Sequence, residues 1–338
     1  MRKILAPISL MLLVVTLLLT STGLAAARPV SFQQSEPDPA MIAMLTDPSS
    51  AAQRLGLLAR TVVSQVISLN LLPEPVSTGP TPFPKGTGET LPPERWKDWP
   101  IVPVVSQRAR QIYQQGQAMG NLPTHFSKIG DCQNIRQYFL GIFDDPTTYG
   151  LGRDNETLIP TINYFQQSWN RVSESVRSGF NVASVLTSIN ANPKTCQPGE
   201  TPLDCEFRTW KPSFVIISME TWTKDRPTDA YTTYLRQIID YTIAKGAVPI
   251  LATKADNLEG DFSINKAVVK LAAEYDIPLW NFWKAADPLP YHGLTEDNFH
   301  LTNGPNFFNN TFDMEKAWPW RNLTALQALD AVRRFVTK

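Results

Sequence analysis

The chain has 338 residues, as many acidic as basic side chains, and a charged fraction of only 18%. That length allows one large domain with appendages. A formal net charge of zero leaves no basic footprint, so neither nucleic acid nor an anionic surface is an expected partner.

The chain starts Met1-Arg2-Lys3, runs apolar from Ile4 to Leu19 and reaches Ala25-Ala26-Ala27-Arg28. A positive start, an apolar centre and small residues at the exit describe a secretory signal over residues 1–27, with Arg28 the first mature residue. The rival reading is an uncleaved anchor, because the apolar run approaches the ~17 residues that span a bilayer. Pro7 and the Ala-x-Ala site favour cleavage, and hence a secreted or extracytoplasmic protein. Residues 28–72 form an N-terminal segment, loose at first and then helical from Ser49 to Leu72 on the spacing of Leu55, Leu58, Val62, Val66 and Leu69. Residues 73–103 are so dense in proline that they read as an extended spacer, with Trp96 and Trp99 marking where it docks.

From residue 104 to 338 helix and strand patterns alternate. Helices are expected over Ser106–Gly120, Thr228–Lys245, Ser263–Tyr275 and Thr324–Val336. Strands are expected over Phe126–Ile129, Phe214–Ile217, Val248–Leu251 and Ile277–Trp280. Thr147–Ser178 is long and aromatic, and predicts helical turns and loops facing a substrate. The alternation predicts an α/β fold: a three-layer α/β/α sandwich around a central parallel sheet. Phe214-Val215-Ile216-Ile217, apolar throughout, suits a strand covered on both faces.

Export makes the three cysteines informative, since disulfides persist outside the cytosol. Cys196 and Cys205 bound one short loop rich in Pro and Gly, and predict a local disulfide. Cys132 is left over, which makes it a reactive thiol, an intermolecular link or an inert buried residue. Its place argues for the first, because it follows Gly130-Asp131 at the end of a strand, where a sharp turn exposes a nucleophile. A base and its orienter stand far downstream, in Asp297-Asn298-Phe299-His300.

Gly130-Asp131-Cys132 resembles the Gly-Asp-Ser block of the SGNH (GDSL-type) hydrolases, with Cys in place of the nucleophilic Ser. Asp297-x-x-His300 resembles that family's closing block. The resemblance covers residues 96 to 338 and implies a flavodoxin-like sandwich, with Cys132 as nucleophile, His300 as base and Asp297 as orienter. It implies ester substrates, such as small-molecule esters, acylated carbohydrates or lipids. The family's third block, Gly-x-Asn-Asp after the central strand, is not matched: Glu220 stands for Gly and Trp222 for the Asn that donates to the oxyanion. Losing such a donor costs on the order of 10²–10³ in rate. A catalytically silent module that keeps the fold to bind a cell-surface carbohydrate or lipid is therefore the alternative, and a thiol-redox role for Cys132 ranks behind both.

Further candidates for the oxyanion or substrate site are Gly179 in Ser178-Gly179-Phe180, Asp131, Trp222, Asn257 in Lys254-Ala255-Asp256-Asn257, and His292. Asp131, Asp256, His292 and His300 include ligand types, but no metal-ligand spacing supports a metal site. No cofactor is expected, and the chain is read as a monomer.

Overall fold

The computed structural model describes residues 91–222 and 225–338. The signal or anchor reading of residues 1–27, the Ser49–Leu72 helix and most of the spacer lie outside the described residues. No helix among the described residues is long and apolar enough to cross a membrane.

The fold is α/β, with a central parallel sheet of four strands: β1 (Leu122–Gly130), β3 (Pro212–Ser218), β4 (Val248–Ala252) and β5 (Leu279–Trp280), in the order β1-β3-β4-β5. Every residue of β3 is buried, which its unbroken apolar run requires. On one face α4 (Thr228–Ala244) and α5 (Ser263–Tyr275) pack together and on β4. On the other, α1 (Gln107–Ala118) lies against β3 and β4, and α7 (Ala317–Val336) against α1 and β5. A second sheet has only two short strands, β2 (Tyr149–Gly150) and β6 (Asn306–Phe307).

One further pairing sets the topology. Val176 bridges Gly130 in parallel, while Gly130 also pairs with Ser218 of β3. The chain leaving β1 therefore visits one side of it at residue 176 before returning to its other side as β3. The strand order reverses there, and the carboxyl ends of β1 and β3 form the crevice where doubly wound sheets place their ligands.

The four expected strands and the helices of the second half are all present, with shifted ends. Helix α7 begins at Ala317, earlier than the expected Thr324, because Pro319 falls in its first turns, where a missing N–H does no harm. Ser106 does not cap α1 with its side chain; its hydroxyl donates to the Asp276 carbonyl instead. Residues 147–178 hold short turns, β2 and the six-residue α2 (Ile159–Tyr164).

The Cys196–Cys205 disulfide is present, but its second half is not loop. Cys205 lies in α3 (Pro202–Trp210), which starts with a capping box between Thr201 and Asp204 and Pro202 in its first turn. Trp96 and Trp99 are buried, Trp96 edge-on to Trp283 of the short α6 (Phe282–Ala286) at 4.8 Å. The Asn281 amide holds the carbonyls of both tryptophans.

Candidate functional site

Cys132 opens a single helical turn, Cys132–Asn134, directly after β1. Gly130 is needed there for space rather than for an unusual backbone angle: a Cβ would lie 2.0 Å from Asn134 Nδ2, which is bonded to the Ser218 carbonyl. His300 comes from a narrow turn between Leu294 and Leu301, which pair across it. The Thr295 N–H bonds the His300 carbonyl at 2.8 Å and closes that turn. Asp297 sits inside and accepts from Thr295 Oγ1 and from the N–H groups of Phe299 and His300.

The two segments meet at the carboxyl end of the sheet. Cys132 Sγ lies 3.9 Å from His300 Nε2, and His300 Nδ1 lies 2.5 Å from Asp297 Oδ2. The three groups stand in line, thiol to imidazole to carboxylate. Gln133 joins the segments, its amide donating to the Phe299 carbonyl at 2.9 Å.

The electrostatics differ at the two ends of that line. Hydrogen bonds from His300, Phe299 and Thr295 hold the Asp297 carboxyl well below the usual carboxylate range, so it stays ionised. The Cys132 thiol is pushed up to about 12, first by burial and then by Asp131 and Glu220. The backbone N–H groups of Cys132 and Gln133 pull the other way, without prevailing. Partial burial beside two carboxylates thus disfavours the thiolate.

Asp131 faces the interior, not an open site. It is fully buried: Oδ1 accepts from the Gln133 N–H, and Oδ2 from the Glu220 N–H, the Thr221 N–H and the Thr221 hydroxyl. It clamps the turn after β1 to the turn after β3. Burial and Glu220 raise its carboxyl to about 6 against those N–H donors.

Glu220 has a buried partner that sequence reasoning missed. Arg321, fully buried on α7, donates to Glu220 Oε1 at 2.6 Å and to the Ser218 hydroxyl at 2.9 Å. Its guanidinium stands 4.9 Å from the ring centres of both Phe139 and Phe282. A charge that answers Glu220 sits behind the site, so the carboxylate where glycine was expected is not left to act on the pocket alone.

The remaining candidates do not join the line. Trp222 is buried and walls a separate open groove with Asn181 and Tyr234. Its Nε1 is buried without a partner among the described residues, and Arg226 lies over its ring. Gly179 is an exposed turn residue with φ +79° between Arg177 and Phe180. Asn257 and His292 line a cavity of ≈ 340 Å³ with Asn298 and Trp283. Asn257 also accepts from the Phe262 N–H, and His292 Nδ1 faces the Asp287 carbonyl at 2.9 Å. Lys254 and Asp256 form a buried ion pair at 2.6 Å, shared with Glu259, and hold their loop. The Asp131–Asp256–His292–His300 set does not converge on a metal. Among the described residues only Glu174, Cys196 and Cys205 cluster closely enough, and those two cysteines are the disulfide.

Compared with protein-family models, with curated proteins and with solved structures, the chain finds no significant match in any of the three.

Proposed function

We propose that this protein is an SGNH-like, GDSL-type hydrolase that transfers the acyl group of an ester to water through Cys132. The exported, monomeric setting and a small or carbohydrate-borne ester substrate belong to the same proposal. One observation carries it: Sγ, imidazole and carboxylate in line at 3.9 and 2.5 Å, at the carboxyl end of the sheet.

The raised thiol sets the form of the chemistry. Cys132 enters as S–H, and His300 Nε2 removes that proton as Sγ bonds to the ester carbonyl carbon. The carbonyl oxygen becomes an oxyanion beside the Cys132 N–H, and the C–O bond to the alcohol breaks as His300 returns the proton to the leaving alkoxide. Water then attacks the thioester with His300 again as base, releasing the acid and restoring S–H. Asp297 holds the Nδ1–H and so keeps Nε2 free to accept.

The binding-module reading keeps one observation in its favour, the thiol pushed up to about 12. Incubation with 4-nitrophenyl acetate separates the two. The hydrolase reading expects an acetyl adduct on Cys132, removable by hydroxylamine, with turnover abolished in Cys132→Ala and kept within ~10-fold in Cys132→Ser, since general-base attack does not need a thiolate. No adduct and no Cys132-dependent release across short- and long-chain esters and acylated sugars would decide for the binding module.

A further inference from the structure

A groove of ≈ 360 Å³ opens beside the nucleophile turn, between residues 134–137 and 171–178. These two segments meet on the Val176 side of β1, across that strand from β3. The Val176 bridge to Gly130 holds one of them against β1, and the Ile135 N–H to the Cys132 carbonyl continues the other from the nucleophile. Four of the lining side chains are basic, Lys128, Arg136, Arg171 and Arg177, and none is acidic. In a chain of zero net charge that is a local excess rather than a share of a general one.

Each nearby carboxylate has another partner, and two of them, Glu206 and Asp144, also act on Lys128 without outweighing its burial. Glu206 is buried and pairs with Arg171, whose guanidinium also stacks on Trp210 at 4.2 Å. Asp144 accepts from the Asn170 N–H, and Glu174 accepts from the Thr195 hydroxyl. Arg136 donates to the Asn170 carbonyl, and Arg177 lies over Phe180. Both are held in place by these contacts, and among the described residues neither forms an ion pair with a carboxylate.

The floor provides a second, independent observation. Lys128 is 2% exposed, and its ammonium is bonded to the Phe139 carbonyl at 3.2 Å. A buried lysine is ordinarily paired with a carboxylate; here burial, then Arg171 and Arg136, drive its amine down to about 7, with Glu206 and Asp144 only partly opposing. An anion in the groove would add counter-charge for Lys128, for the half-buried Arg136 and for the exposed Arg177 at once.

We propose that this groove is an anion subsite, holding a carboxylate or phosphate group of the substrate while the ester lies at Cys132. The proposal deepens the acyl-transfer reading and rests on it: the preferred substrate is an acidic ester, with neutral acyl esters poorer. Guanidinium groups suit planar and tetrahedral oxyanions alike, so the two sources are separated by experiment.

The test uses the full chain and two readouts. Glutarate, valeramide and inorganic phosphate are titrated calorimetrically into the Cys132→Ala variant, where no turnover interferes. Turnover of mono(4-nitrophenyl) glutarate and 4-nitrophenyl valerate, matched in acyl length, is compared in the unmodified chain and in Arg136→Gln/Arg177→Gln. The proposal expects an anion to bind about tenfold more tightly than valeramide, weakening with salt, and the acidic ester to be preferred by a similar factor that falls towards unity in the double variant. Binding by glutarate alone assigns a carboxylate, and binding by phosphate alone a phosphate. Anion binding without cleavage of either ester keeps the subsite and removes the acyl-transfer reading. Anions binding no better than valeramide, with both esters cleaved equally, overturn the subsite and leave the hydrolase standing.

Discussion

The two halves of the Cys132–His300 line place carboxylates in opposite environments. Behind Cys132 the carboxylates of Asp131 and Glu220 are buried, clamped by backbone N–H groups and by Arg321. Behind His300 the Asp297 side chain is half exposed and held within its own turn. The Asp131 carboxyl thus titrates upward and the Asp297 carboxyl downward. Water decides it: where water is excluded, neighbouring N–H donors only partly offset the desolvation of the charge, and where water remains, the same donors prevail. The buried half acts as a frame for the nucleophile, and the exposed half as a presenter of the base.

The sharpest way to break the buried half is to remove its cation. Arg321→Leu leaves Glu220 buried beside Ser218 with no counter-charge, and is expected to destabilise the fold by about 3–5 kcal/mol in urea unfolding. Adding Glu220→Gln should recover part of that loss, because the neutral amide removes the stranded charge. A loss under about 1 kcal/mol for Arg321→Leu alone would mean that the pair does not hold the frame.

The raised thiol gives the next effect. With the Cys132 thiol near 12 against an ordinary value of about 8.5, its thiolate fraction at pH 8 falls by on the order of 10³. Alkylation by iodoacetamide at pH 8 should be slower by that factor than for a small free thiol, and should still be rising above pH 10. Fast alkylation at pH 7 would show that His300 draws the proton off at rest.

Asp131 carries the pH dependence of the buried half. Its carboxyl is raised from an unfolded value near 4 to about 6, so the folded state binds more protons than the unfolded one between those values. The contribution to stability is full below about pH 4 and is lost as pH rises towards 6, amounting to about 3 kcal/mol at most. Asp131→Asn should be less stable overall, since an amide cannot accept from all of these donors, yet should lack that decline. Asp297 works with the opposite sign: its contribution is present above the usual carboxylate range and lost on acidification. Chemical unfolding of Asp131→Asn and Asp297→Asn from about pH 2 to 7 tells the halves apart, the first variant differing from the parent in its slope above pH 4 and the second in its slope below it.

How legible each half was in the chain follows from the same contrast. The exposed half was readable, because a local turn holds Asp297 and His300 three residues apart whatever the rest of the fold does. The strands were readable from their apolar runs, and α5 from Ile264, Val268 and Leu271 on one face. The buried half was not. Nothing local to Arg321, on a helix where an arginine is normally solvated, says that it meets Glu220 about a hundred residues away; only the crossing of α7 over the sheet end makes that pair. Asp131 looked like a site residue because it neighbours Cys132, but the side chains on either side of a turn point in opposite directions, one outward and one into the frame. Helix α3 was hidden by the disulfide reading, although Thr201, Pro202 and Asp204 together were a start signal.

Within the exposed half, Asp297→Asn should lower turnover about 10²-fold by losing the charge that orients His300, with stability changed by less than about 1 kcal/mol because the residue is half exposed. Loss of both would place Asp297 in the frame instead and dissolve the distinction between the halves.

The smallest expected effect tests whether the halves act together. Gln133 belongs to the buried frame, yet its amide reaches the Phe299 carbonyl of the base-bearing turn. Gln133→Ala removes that link and should cost about 1 kcal/mol of stability, the net worth of one hydrogen bond. Its larger effect is on position, because His300 then depends on its own turn alone, and a shift of a fraction of an ångström at 3.9 Å should lower kcat about tenfold with KM unchanged. Gln133→Glu sharpens the point. Near neutral pH it sets a carboxylate against the Phe299 carbonyl and close to Asp131, so it should be worse than the alanine variant, and acidification should narrow the gap by restoring an O–H donor. If both variants turn over at the parent rate, the base-bearing turn is positioned without the frame, and the geometry of the line is set on the His300 side alone.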